Sequence, residues 1–405
     1  MVPGSVEAAG AGGHPRRGAV LAIAIAAVAV DAALLGLIAP LLPLIEERTG
    51  ASDSQLGLAL AAYALPIALL SLPFGRVADR FGRKGLLIAG LLLVAAGSAL
   101  IAGSRSLELL IAARAIQGVG SAASWISALA MVSDAAPPGR RGESIGGALA
   151  ATGIGSIAGP ALGGIAADAI SYEAPFLIAC ACGLGLAVAA VIVLPRGVRR
   201  SGPAAPALAV LVRALRDPKG AWGALITLVS SAVLGLIEVV GPLDLDARLG
   251  LSASVIGLLF AASIAVDAAI NPLAGRWGDR RGRFGPAFAG MGLTAVSAAL
   301  LAVLPGVLGA AVGLAVFGAG FALSFAAAVP WLDEAFGERE RGLGYGVLNL
   351  LYAAGYAVGP ALGGWILELS GADLAYALTA SALATASLFL LVSRPDARPT
   401  AGGGL

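Results

Sequence analysis

Apolar residues do not alternate with polar ones along this chain at a helical or strand period. They run on for roughly 20 residues or more at a time, long enough to cross a bilayer as helices. Twelve such stretches cover 18–44, 53–76, 85–103, 107–133, 143–167, 174–194, 221–243, 252–276, 285–304, 307–332, 342–367 and 372–393. Charged residues fall almost wholly in the gaps. The pattern predicts an all-α membrane protein with 12 transmembrane helices.

The chain also repeats itself at an offset of 200 residues. Gly75-Arg76 and Asp79-Arg80-Phe81-Gly82-Arg83 reappear as Gly275-Arg276 and Asp279-Arg280-Arg281-Gly282-Arg283. The string GPALGG at Gly159–Gly164 recurs letter for letter at Gly359–Gly364. A duplicated chain of this kind predicts two pseudo-symmetric six-helix bundles, 18–194 and 221–393, with an interface between them. Residues 1–17 and 394–405 read as loose tails. Residues 195–220 read as a cytoplasmic linker with a short amphipathic helix at 206–216 lying on the membrane.

Composition agrees with lipid as the solvent. Of 405 residues 59% are hydrophobic and 12% charged, with mean hydropathy +0.92; a soluble domain carries about 25% charged residues. The net charge of +2 is small, but its placement is informative. All but four of the 26 Lys and Arg residues lie in the termini and in the loops on the same side as the termini. The exceptions are Arg48, Arg105 and Arg248 opposite, and Arg114 inside a span. The positive-inside rule then puts both termini in the cytoplasm. Cys180 and Cys182 are two apart in the sixth span and point to different sides of a helix. His14 is the single histidine, in the N-terminal tail.

Because each bundle has a twin, polar residues present in one copy only need a reason other than architecture. An ionisable group inside a span costs about 2.5–3.5 kcal/mol or more, so it faces a cavity or a partner. Asp31, Arg114, Glu238 and Asp267 stand where the other copy has Ser231, Leu314, Ile38 and Ile67. The bland alternatives are a hydrogen bond to a neighbouring helix for Asp31, an ion pair with Glu108 or a backbone carbonyl for Arg114, and a buried partner for Asn271 in the case of Asp267. Tyr63, Trp125, Trp331, Tyr352 and Tyr356 offer rings for an aromatic or cationic substrate, with core or lipid packing as the alternative. Gly159 and Gly163 clear one face of the fifth span, where Pro160 removes a hydrogen-bond donor. That helix is expected to bend, slide or seal at the interface between bundles, or to serve packing alone. Arg80, Arg83 and Lys84 are expected to bind acids such as Asp134 and to hold the cytoplasmic side closed.

GRVADRFGRK at 75–84, RAIQGVGSA at 114–122 and GIGSIAGPALGG at 153–164 resemble three signatures of the major facilitator superfamily, the third associated with antiporters. The resemblance implies that Asp79 faces the N-terminal end of span 11, that Asp279 faces the start of span 5, and that Arg114 takes part in proton coupling. The run DAALLGLIAPLLP from Asp31, with Pro40 and Pro43, resembles span 1 of vesicular amine transporters and related drug:proton antiporters, and GLIEVVGPL around Glu238 resembles their span 7. Asn349, in NLLYAAGYAVGPALGG, stands where they carry an acid and is expected to face the cavity; Tyr63 stands where they have a lysine, and Ala32 replaces an amide.

These readings together imply a secondary active transporter. A proton gradient would drive antiport of a cationic or amphipathic small molecule outward by alternating access, with Asp31 as first choice for the shared acid and Glu238 second. A carboxylate in a half-dry cavity can hold a proton or a cationic substrate in turn. The rivals are a proton-coupled uptake symporter for a small nutrient and a non-transporting receptor or scaffold. An enzyme is not expected: the spans carry no His, no nucleophile–base set and no metal-ligand cluster. No cofactor and no nucleic acid are expected. The expected setting is a monomer in the inner membrane of a bacterial-type cell, with lipid, protons and substrate as partners.

Overall fold

A computed structural model describes residues 14–136, 141–195, 207–336 and 341–393. Among the described residues, eleven continuous helical stretches are long and apolar enough to cross a membrane, and the last spans two passes. The first bundle holds α1 (His14–Leu37), a 3-10 turn (Ala39–Leu41), α2 (Leu42–Thr49), α3 (Asp53–Phe81), α4 (Arg83–Gly103), α5 (Leu107–Ala135), α6 (Arg141–Ala169) and α7 (Ala174–Val193). A short α8 (Ala207–Arg216) leads to the second bundle, α9 (Pro218–Leu249), α10 (Ala253–Arg281), α11 (Phe284–Val303), α12 (Gly306–Glu334) and α13 (Arg341–Ser393). The tails and much of the connection 195–220 lie outside the described residues, although α1 already begins at His14.

Local chemistry explains the interruptions. Pro40 and Pro43 start the 3-10 turn and α2, so the first pass breaks there where its twin α9 runs on. Gly371, at φ 81° and ψ 173°, splits α13 into two passes. Gly82 and Gly282, at φ 93° and 83°, make the same sharp turn after α3 and after α10; a side chain rarely adopts that backbone.

The GPALGG strings have two faces. In the first copy, a Cβ on Gly155 or Gly159 would strike the Ala29 or Ala33 backbone, and one on Gly163 would come 2.9 Å from the Leu37 carbonyl. These glycines pack α6 against α1 of their own bundle. Gly355, Gly359 and Gly363 pack α13 against α9 at Leu228, Ala232 and Leu236 in the same way. The other face meets the partner bundle: the Pro160 carbonyl abuts Gly257, and Gly164 abuts the Ala253 carbonyl. Pro360 abuts Gly57, and Gly364 abuts the Asp53 carbonyl. The expectation that Gly159 and Gly163 lie at the bundle interface is therefore corrected. They build the bundle, while Pro160 and Gly164 meet its neighbour.

All four interbundle contacts lie near the ends of the helices away from the chain termini. On that same side an apolar cluster joins Ile38, Leu41, Leu42 and Ile45 to Val239 and Leu243 of α9. Among the described residues, α1 meets the second bundle through its 3-10 end and not along its length. The molecule is thus sealed on the side opposite its termini.

A difference between two neighbouring glycines tests this packing. Gly159→Ala should cost about 1–3 kcal/mol by overpacking against α1, whereas Gly153→Ala, which meets nothing within 4 Å, should be neutral or gain up to about 1 kcal/mol. Thermal unfolding of the detergent-solubilised variants should place them on opposite sides of the wild type.

Candidate functional site

Midway through the membrane, α1 and α9 each carry one acid. Asp31 is 8% exposed and Glu238 5%, so both side chains sit inside the protein and not on the lipid face. They are held differently. Ser121 on α5 donates to Asp31 Oδ2 at 2.8 Å, and Ser124 lies 3.5 Å from Oδ1. Tyr63 on α3 donates in turn to Ser121 at 3.0 Å. Glu238 accepts a hydrogen bond from the Tyr356 hydroxyl on α13.

Arg114 on α5 is the buried cation of the region. It is 1% exposed. Its guanidinium stacks over the Tyr63 ring at 4.3 Å, inside cation–π range. One of its nitrogens donates to Gln117 at 2.9 Å, and Gln117 donates to Ser98 on α4 at 2.9 Å. Nε and Nη2 have no hydrogen-bond partner among the described residues. Arg114 is within electrostatic reach of Glu238 and Tyr356 across the bundle interface. The ion pair with Glu108 weighed as an alternative is not what holds it; an aromatic face and an amide do.

The two bundles line this region with different chemistry at equivalent positions. Where α5 carries Gln117, Ser121 and Trp125, α12 carries Phe317, Phe321 and Phe325. The three rings form a ladder, with centroids 6.0 Å and 4.6 Å apart. The ladder continues through Tyr352 at 5.9 Å to Tyr356 at 6.2 Å. Phe321, Phe325 and Tyr352 are half-buried. Trp331 belongs instead to a core cluster with Trp222.

Asp267 on α10 lies apart from both acids. Its Oδ1 is buried with no hydrogen-bond partner among the described residues, and its backbone packs against Gly318 of α12. Tyr352 is within electrostatic reach of both Asp267 and Glu238. Asn349 does not stand open to a cavity. Its amide donates to Ser71 of α3 at 2.6 Å, joining the two bundles.

The expected gate residues are arranged otherwise than the sequence suggested. Arg83 pairs with Asp134 and also donates to the Ala130 carbonyl at 2.5 Å. Both acceptors are on α5, so the pair lies within one bundle. Its twin, Arg283 with Glu334, lies within the other. Lys84 caps the end of α7 through the Val191 and Leu194 carbonyls at 2.7 and 2.5 Å. Ion pairs inside a bundle move with it as a rigid body and cannot lock it to its neighbour. Arg80 and Asp279 are exposed at the ends of α3 and α10. The Asp79 side chain lies outside the described residues.

The Major Facilitator Superfamily model matches residues 21–243 and again 223–404, one match per bundle. The chain belongs to the Major Facilitator Superfamily. The chromaffin granule amine transporter of Rattus norvegicus is 27% identical over 293 residues, covering 70% of this chain and 55% of that protein. The MFS-type transporter ppzB of Metarhizium rileyi is 34% identical over 109 residues, 27% of this chain and 23% of its own length. Multidrug resistance protein 3 of Bacillus subtilis is 39% identical over 89 residues, 22% and 17%. The matched part thus spans a quarter or less of most of these curated relatives and about half of the amine transporter. Among solved structures, an inward-facing bacterial homologue of the human lysosomal transporter Spinster has a TM-score of 0.76 at 19% identity, covering 95% of this chain and 96% of its own. The nucleoside transporter NupG scores 0.77 at 11% identity, covering 95% and 100%. The proteins it matches are membrane transporters.

The placement of Arg83 makes a prediction. Arg83→Ala should lower thermal stability by about 1 kcal/mol or less, as for other part-exposed pairs. It should leave the distance between the bundles unchanged, as read by a pair of spin labels placed one on each.

Proposed function

We propose that this transporter is a proton-coupled antiporter that exports a cationic or amphipathic small molecule. One observation carries the reading: Asp31 and Glu238 are buried acids served by hydroxyl groups, with no Lys or Arg bonded to either among the described residues. A hydroxyl can donate to a carboxylate and can also accept from a carboxylic acid. Ser121, Ser124 and Tyr356 therefore satisfy the acids in either protonation state. An acid fixed by a permanent ion pair could not release and rebind a proton so cheaply.

The cycle follows from that exchange. A proton or a cationic substrate neutralises the same buried charge, so each displaces the other, and each must leave before the next can bind. Asp31 is the shared acid, linked through Ser121 to Tyr63, whose ring carries Arg114. The aromatic ladder of α12 and α13 supplies a π-rich wall beside Glu238 for a flat or cationic substrate. Asp267 adds a third acid near Tyr352. On the positive-inside reading the termini are cytoplasmic and the sealed side faces out, as an exporter loading from within requires. The similarity to an amine transporter and to a multidrug resistance protein supports this substrate class.

Transport in inverted membrane vesicles tests direction and acid together. An imposed proton gradient should drive substrate out of the cell, the opposite of an uptake symporter. Asp31→Asn should reduce gradient-driven export to background while the protein stays folded and in the membrane; normal transport by that variant would remove the central site. A thermal-shift screen of amines, antibiotics and dyes should show larger stabilisation by cations at alkaline than at acidic pH, because proton and ligand compete for one carboxylate. Equal shifts at both would speak against competition.

A further inference from the structure

Two carboxylates reach across the bundle interface on the sealed side. Glu368, near the end of the first pass of α13, accepts from the Ser52 hydroxyl at 2.8 Å and from the Ser54 backbone N–H at 3.0 Å. Ser52 is the N-cap of α3 in the other bundle. Asp168, at the end of α6, accepts from the Ser254 backbone N–H at 2.7 Å. Ser252 is the N-cap of α10, again in the other bundle. Each acid thus sits on the start of a foreign helix, where free N–H groups and the helix dipole favour a negative charge.

The two contacts are copies. Asp168 and Glu368 are 200 residues apart, as are Ser52 and Ser252, and Ser54 and Ser254. Each lies beside one of the backbone seals, Glu368 next to Gly364 on Asp53, and Asp168 next to Gly164 on Ala253. Opening this side must draw α13 from α3 and α6 from α10. Both carboxylates would then lose partners that only the closed state provides, and a contact present in one state alone biases the equilibrium by its full strength. We propose that Asp168 and Glu368 form a twin latch, each capping a helix of the opposite bundle, that stabilises closure on the side away from the termini.

Acids lie near the latch, along with Arg48 paired to Glu173 and Arg248 paired to Asp244. Asp53 lies within electrostatic reach of Glu368, and Glu46 within reach of Asp53 and Asp246. Their mutual repulsion opposes closure, so the latch works against a like-charge background.

Spin labels on Glu47→Cys and Ala247→Cys, in a Cys180→Ala/Cys182→Ala background, read the gate directly. These positions belong to different bundles and line one hollow of about 680 Å³ on the sealed side. Pulsed distance measurements on the full chain in lipid nanodiscs should show mainly the short distance in the parent. Asp168→Asn or Glu368→Gln should raise the long-to-short ratio about threefold each, and the pair about tenfold, the size of an exposed charge–helix contact. Ser54→Pro with Ser254→Pro keeps both acids but deletes the N–H donors, within a first helical turn that tolerates proline. It should widen the gate similarly, and it tests the idea even if the acid variants fail to fold. Unchanged distances in either double variant would overturn the latch. So would an equal widening in Asp373→Asn, a nearby acid outside both caps, because net charge would then be the cause.

Discussion

Helices surrounded by lipid gain little by hiding apolar surface from one another, so they associate through close backbone packing. In this chain that constraint is met at the two GPALGG strings. One face of each string brings a pair of helices within a bundle into backbone contact, α6 on α1 and α13 on α9. The other face brings Pro160 and Gly164 onto α10, and Pro360 and Gly364 onto α3. A single helix thus sets both the shape of its bundle and the seal against the next. The letter-for-letter repeat follows, because the second contact needs the same geometry on both sides of the pseudo-two-fold axis.

The charged residues divide along the same line. Those with a twin serve architecture or closure: Arg83 and Arg283 brace their own bundles, while Asp168 and Glu368 cap the opposite ones. Three of those without a twin are buried inside the protein: Asp31 on α1, Arg114 on α5 and Glu238 on α9, with Arg114 in electrostatic reach of Glu238 and with a polar wall on α5 facing an aromatic wall on α12 at equivalent positions. A duplicated ancestor would give both walls the same chemistry. Their divergence at equivalent positions is what makes one half suited to charge and the other to rings.

Much of this was legible in the sequence. Run length gave the spans, the charge pattern their alternation, and the offset of 200 the two bundles. The lone acids stood out because their twins were Ser231 and Ile38. Contacts that depend on which way a helix turns were not legible. Arg83 and Asp134 were paired correctly by charge, but nothing in the sequence said that both belong to one rigid body. Asn349 looked like a cavity amide, whereas its N–H donates to Ser71 of the other bundle. Ser121 carried a readable signal, a hydroxyl opposite Phe321 in the twin, which draws no attention without the acid beside it. The outer acids shared the 200-residue offset as plainly as the loop signatures. They lie just past the ends of their spans, where a polar residue usually needs no explanation.

The sealed side and the central charges bear on one another. While α3 stays on α13 and α6 on α10, a charge at Asp31 or Glu238 cannot reach water past the apolar cluster of Ile38, Leu42 and Leu243. Arg114 bears on the proposed exchange, because its guanidinium is buried with two nitrogens unbonded among the described residues, held by the Tyr63 ring and the Gln117 amide. A buried cation so poorly matched favours a negative charge nearby. Under the antiport proposed above, the same charge disfavours a second cation arriving while Glu238 is neutral. Alternation between proton and substrate would then need no separate device, because the fixed charge of Arg114 would make a doubly loaded site the costliest of the states.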